Sequence, residues 1–125
     1  MNLYTIELKP CDKHRYKVLK DYAFELNGFR GIVKKGYTSD GATIPRLFWS
    51  FWCPFKSEYI EACVIHDWLC SKAMHCYSIK EAYMEADLVF LYALERSGVG
   101  KITRLLFYNF VKAKHLIKCY IKGWK

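Results

Sequence analysis

Residues 1 to about 38 alternate apolar and polar positions in short runs, LYTIEL, RYKVL, YAFEL and FRGIV, the period-two pattern of half-buried strands. The Asn27-Gly28 pair between YAFEL and FRGIV predicts a tight hairpin, because both residues tolerate the positive φ that such a turn needs. Residues 36 to 56 read as loop: Gly36 to Pro45 is turn-forming in composition, and Pro45 and Pro54 bracket the apolar run LFWSFW. From Ser57 the pattern becomes helical, with Ser57 as a cap, Glu58 suited to the helix dipole, and a first helix running to about Ser71. Ser78-Ile-Lys-Glu81 is a capping-box pattern that opens a second helix ending at Gly98. A third helix is expected from about Lys101 to Lys122. It sets Ile102, Leu105, Leu106, Val111, Leu116 and Ile117 on an apolar side, with Lys101, Arg104, Lys112, Lys118 and Lys122 largely outside. The expected fold is α+β in one domain over 1–125, a small N-terminal antiparallel sheet followed by three helices spanning about 57–122.

Composition narrows the class. A chain of 125 residues with 53% hydrophobic and 18% aromatic content buries a real core, which excludes a disordered segment. No apolar run is long enough to span a bilayer, and MNLYTIELKP lacks the charged start, apolar block and cleavage site of a secretory leader. A cytoplasmic setting is therefore expected, and with it free thiols at Cys11, Cys53, Cys63, Cys70, Cys76 and Cys119. The net charge of +8 is compatible with an anionic lipid, an acidic partner or nucleic acid.

Candidate chemistry sits in two helices. Ala62-Cys-Val-Ile-His-Asp-Trp-Leu-Cys70 is apolar except for His66 and Asp67, and burying that pair costs free energy unless both find partners. Asp87 repeats the anomaly on a surface that also carries Tyr83, Phe90 and Leu94 at helical spacing, so it is expected to face inward. Consecutive helices with a short connection pack antiparallel, and His66 and Asp87 lie at similar distances from that connection. Asp87 would then orient His66 as a general base. Asp67, about 100° further round the helix, would hold a hard cation together with Asp40 and its loop carbonyls. In the alternative, His66, Asp67 and Asp87 are a satisfied polar network that fixes the loop, and Glu85 is a solvated charge.

Other readings compete at lower weight. Cys63, His66 and Cys70 lie near one helix face and, with His75 or Cys76, offer a zinc-type set, although the chain has no CxxC pair. Cys63 or Cys70 as a nucleophile beside His66 ranks below that. The basic last helix, with Trp124 and several tyrosines, is a solvated face or a contact for lipid or phosphate. Phe48-Trp49-Ser50-Phe51-Trp52 is a contact patch or a core plug.

Through GYTSDGATIPRLFW, YIEACVIHDWLC and IKEAYMEAD, over about residues 29 to 110, the chain resembles a phage and prophage family, domain of unknown function thirteen fifty-three. The resemblance implies a phage or prophage origin, hence a bacterial cytoplasm or a virion, and supplies no activity. More locally, ACVIHDWLC is similar to the active-site helix of phospholipases A2, whose His activates water and whose following Asp binds calcium. In compact bacterial members a second Asp on the facing helix orients the His, at a separation close to the twenty-one positions between His66 and Asp87. The glycine- and cysteine-rich calcium loop of those enzymes is absent, and only Asp40-Gly41 stands in its place. The combined expectation is a phage-encoded, hydrolase-like His66/Asp87/Asp67 site acting on an ester or lipid with Ca2+. Its rival is a non-catalytic virion or host-interaction protein. Anionic lipid or a phage or host protein is the expected partner, ahead of nucleic acid.

Overall fold

The structure is a computed structural model that describes residues 6, 8–12, 15–39 and 59–125. The Asp40 to Pro45 motif, the LFWSFW run, Cys53 and the Ser57 cap lie outside the described residues.

Five short strands precede three helices: β1 (Leu8–Asp12), β2 (Arg15–Val18), β3 (Tyr22–Leu26), β4 (Phe29–Val33), β5 (Thr38–Ser39), α1 (Ile60–Ala73), α2 (Ile79–Arg96) and α3 (Lys101–Lys122). This is the expected α+β layout. The sheet is divided in two, β1-β2-β5 and the hairpin β3-β4, all antiparallel. The hairpin turns at Asn27 and Gly28, whose φ values of 49° and 90° are those of a type I′ turn. Alternation along β3 sends Tyr22, Phe24 and Leu26 inward, where they meet Val18 and Val33.

α1 is packed between the sheet side of the fold and α2, which in turn carries α3. Ala62, Cys63, Val64, Ile65 and His66 are buried in an unbroken run, which a helix achieves only when covered on more than one side. The hairpin covers one side and α2 another. α2 opens at Ser78, whose hydroxyl accepts from the Glu81 amide at 3.3 Å, and faces the core with Tyr83, Ala86, Asp87, Val89, Phe90, Ala93 and Leu94. It stops at Gly98 (φ 86°), where Val99 N–H donates back to the Leu94 carbonyl at 3.0 Å.

α3 departs from the expected orientation. It packs against α2 through a narrow stripe, Phe107, Val111, His115 and Cys119, while Ile102, Leu105, Leu106, Leu116 and Ile117 are exposed. The helix carries two apolar stripes, and the stripe at strict four-residue spacing is the one seated on α2. Cys63, Cys70, Cys76 and Cys119 are all thiols.

Trp68 sets the height of α1 over the hairpin. Its ring lies edge-on to Phe24 at 5.7 Å, above Gly31. A Cβ at Gly31 would stand 2.6 Å from the Trp68 ring and 2.8 Å from the Phe24 ring, so glycine is required by space. Gly31→Ala is expected to cost roughly 1–3 kcal/mol of unfolding free energy by overpacking. Urea denaturation measures it, and an unchanged midpoint would show that α1 is not seated there.

Candidate functional site

The three helices meet at one carboxylate. Asp87 of α2 is 2% exposed, and its Oδ1 lies 2.8 Å from His66 Nε2 of α1 and 2.8 Å from His115 Nδ1 of α3. Oδ2 lies 2.9 Å from the same His115 nitrogen. An ionised carboxylate only accepts, so each imidazole donates to it: His66 from Nε2 and His115 from Nδ1. Burial pushes the Asp87 carboxyl up, but the hydrogen bonds from His115 and His66 outweigh it and hold the group below its ordinary range. No buried side-chain nitrogen or oxygen among the described residues lacks a partner.

Cys70, one turn beyond His66 on α1, brings its Sγ to 3.6 Å from His66 Nε2, 3.9 Å from His66 Nδ1 and 3.8 Å from His115 Nε2. A tetrahedral site with bonds of about 2.3 Å to sulfur and 2.0–2.1 Å to nitrogen sets N and S roughly 3.6 Å apart. The ligand atoms of His66, Cys70 and His115 lie within 4.8 Å of one another, so the donor set is of zinc type and would draw inward to hold an ion. Asp87 then fills the outer role typical of such centres, a carboxylate that fixes each liganding imidazole through its other nitrogen. Burial, aided by the charges of Asp87 and Asp67, pushes the Cys70 thiol well above its ordinary range. A thiol so placed stays protonated unless a cation binds it.

Around this centre, Tyr83 stacks on His115 at 4.1 Å with ring planes 5° apart, and Lys118 Nζ donates to the Tyr83 hydroxyl at 3.2 Å. Phe90 packs on the His66 ring at 4.8 Å. Cys70 also borders a cleft of about 290 Å³ lined by Arg15, Tyr37, Thr38, Ser39 and Asp67. The cleft exists because β5 pairs with β2 and carries Ser39 over α1, where its hydroxyl donates to Asp67 Oδ2.

The structure thus brings His66 and Asp87 into contact and places Asp67 apart from them, in the cleft. Asp40 lies outside the described residues. The expected calcium ion is overturned by this geometry. Calcium needs six to eight oxygen ligands, whereas the clustered donors are two imidazole nitrogens and one sulfur, and the Asp87 carboxylate is taken up by the imidazoles. Of the cysteine-based set, only Cys70 joins His66: Cys63 is in the apolar core, and His75 and Cys76 are exposed. His115 was missed. Its signal was the spacing Phe107, Val111, His115, Cys119, which puts a histidine in the middle of an apolar stripe.

The family profile described as Protein of unknown function (DUF1353) matches residues 16–111. That span holds His66, Cys70 and Asp87 and stops short of His115. The chain is 38% identical over 97 residues to Uncharacterized protein y4iH of Sinorhizobium fredii (strain NBRC 101917 / NGR234), covering 74% of this chain and 38% of that protein. It is 40% identical over 57 residues to Uncharacterized protein y4jT of the same organism, covering 44% of this chain and 17% of that protein. It spans less than half the length of either relative. No solved structure matches it.

Replacing Asp87 by Ala strands two buried imidazole donors and is expected to cost about 3 kcal/mol. Asp87→Asn, which keeps one acceptor oxygen, is expected to lose about half as much. Chemical denaturation of the two variants checks the order, and equal losses would contradict it.

Proposed function

The chain belongs to the DUF1353 family, and we propose that it is a metal-assisted hydrolase whose zinc-type ion is held by His66 Nδ1, Cys70 Sγ and His115 Nε2. The observation that carries this reading is the gathering of both imidazoles and the Cys70 thiol around one buried carboxylate, Asp87, with the sulfur 3.6–3.9 Å from the ring nitrogens. Three protein ligands are the number found in catalytic rather than structural zinc sites. When bound, such an ion supplies Lewis acidity and a water that ionises near neutral pH.

The chain's own residues do the rest. Asp87 fixes both imidazoles and balances charge. Cys70 places the centre at the edge of the polar cleft, where Asp67, held by Ser39, is set to orient a water or a substrate hydroxyl. Arg15, on the cleft wall, favours an anionic substrate. Esters, lipid esters among them, are the substrate class of this reading, and a phage or prophage setting follows from the family resemblance.

A second, metal-free reading keeps His66 as a general base oriented by Asp87, as in the phospholipase A2 helix that ACVIHDWLC resembles. The 2.8 Å contact between Asp87 and His66 Nε2 favours it, because it leaves Nδ1 as the acceptor nitrogen.

Calorimetric titration of metal-stripped protein separates these readings. One equivalent of zinc is expected, with no calcium uptake. Binding should fall at least about tenfold in Cys70→Ser and in His115→Ala, and by about 10–100-fold in Asp87→Asn, which loosens the imidazoles. Asp67→Asn should bind zinc as the parent does. Zinc-independent ester hydrolysis abolished by His66→Asn would support the metal-free enzyme; no zinc binding and no hydrolysis would leave a structural network in a partner-binding protein.

A further inference from the structure

We propose that the outer face of α3 is a membrane-surface site that binds anionic bilayers, a property separate from the chemistry of the His66-Cys70-His115 centre. α3 turns Phe107, Val111, His115 and Cys119 into the fold. Its opposite side shows Ile102, Leu106, Ile117, Tyr120 and Ile121 to solvent, and Ile102, Tyr120 and Ile121 are 86%, 89% and 74% exposed. These positions lie on one stripe along the 22-residue helix, about 33 Å long at 1.5 Å per residue. Asn109, a polar side chain on the stripe, donates its amide to the Leu105 carbonyl at 2.8 Å, which spares the stripe an unsatisfied group. An apolar stripe of this length on a small domain marks an interaction surface.

Charge identifies the occupant. From Lys101 to Lys125 the chain has seven Lys and Arg residues and no Asp or Glu. Ala113 lies on the midline of the stripe, so Lys112 and Lys114, its neighbours in sequence, stand about 100° to either side of it. Both are exposed. A lysine on each border lets the apolar face enter the acyl boundary while the ammonium groups reach up to lipid phosphates. The same arrangement opposes a second copy of the chain, because two such faces would bring cation against cation. No helix of the described residues is long and apolar enough to cross a membrane, so the geometry is that of a helix lying in the interface plane.

Sedimentation of the full chain with vesicles tests this. Vesicles of equal parts phosphatidylglycerol and phosphatidylcholine are expected to carry the protein down, vesicles of phosphatidylcholine alone to leave it in solution, and added salt to weaken binding. Ile117→Asp combined with Ile121→Asp should reduce binding roughly tenfold or more, with an unchanged thermal melt because both positions are exposed. Lys112→Glu with Lys114→Glu should reduce it by a similar factor. Full binding by the double-aspartate variant would overturn the proposal, showing adsorption by charge alone. Absence of binding to the anionic vesicles would overturn it as well, and a concentration-dependent dimer in that case would reassign the stripe to protein contact.

Discussion

Burying the Asp87 carboxylate between helices costs several kcal/mol unless its oxygens are engaged, and His66 from α1 and His115 from α3 engage both. The helices are consequently held in one relative register, because sliding any of them would strand a donor or the acceptor. The same constraint orients the two imidazoles. Both rings border the Cys70 sulfur, and the clustering of potential metal ligands is thus a by-product of the bond that aligns the helices. Tyr83, stacked on His115, and Phe90, packed on His66, restrict both rings further.

Much of this was legible in the sequence. β2, β3 and β4, the Asn27-Gly28 turn, the Ser78 cap and the Gly98 stop appear where local signals put them, whereas β1 covers LKPCD, beyond the LYTIEL alternation, and β5 lies in the segment read as loop. The pairing of His66 with Asp87 was readable because two consecutive helices with a short connection must pack antiparallel, which aligns residues at equal distance from the turn. The division of the sheet into two was not, since strand alternation fixes which side chains face inward but not which edges pair. His115 also escaped. Its partners lie 28 positions away for Asp87 and 45 for Cys70, and no local pattern encodes contacts at that range. The calcium expectation failed for a related reason: the ligand cluster is completed by His115, a long-range partner, which makes it a set of imidazoles and sulfur, while Asp67 is held by Ser39 in the cleft under β5.

α3 shows how an ambiguous period is resolved. Two apolar stripes run along it, and bulk hydrophobicity favours the wider one, with Ile102, Leu106 and Ile117. The narrower stripe wins the core because it supplies the histidine that Asp87 requires and small or flat side chains that allow close approach to α2. The wider stripe is left outward, bordered by lysines. The buried polar bond and the exposed apolar face are thereby two consequences of a single rotational choice of α3.

X-ray absorption at the zinc edge of the protein loaded with one equivalent of the metal tests the central claim most directly. The account predicts one sulfur at about 2.3 Å and two imidazole nitrogens at about 2.0–2.1 Å, with the sulfur contribution lost in Cys70→Ser. A shell of oxygen and nitrogen alone in the parent protein, or one containing several sulfurs, would contradict the assignment of His66, Cys70 and His115 as the metal centre.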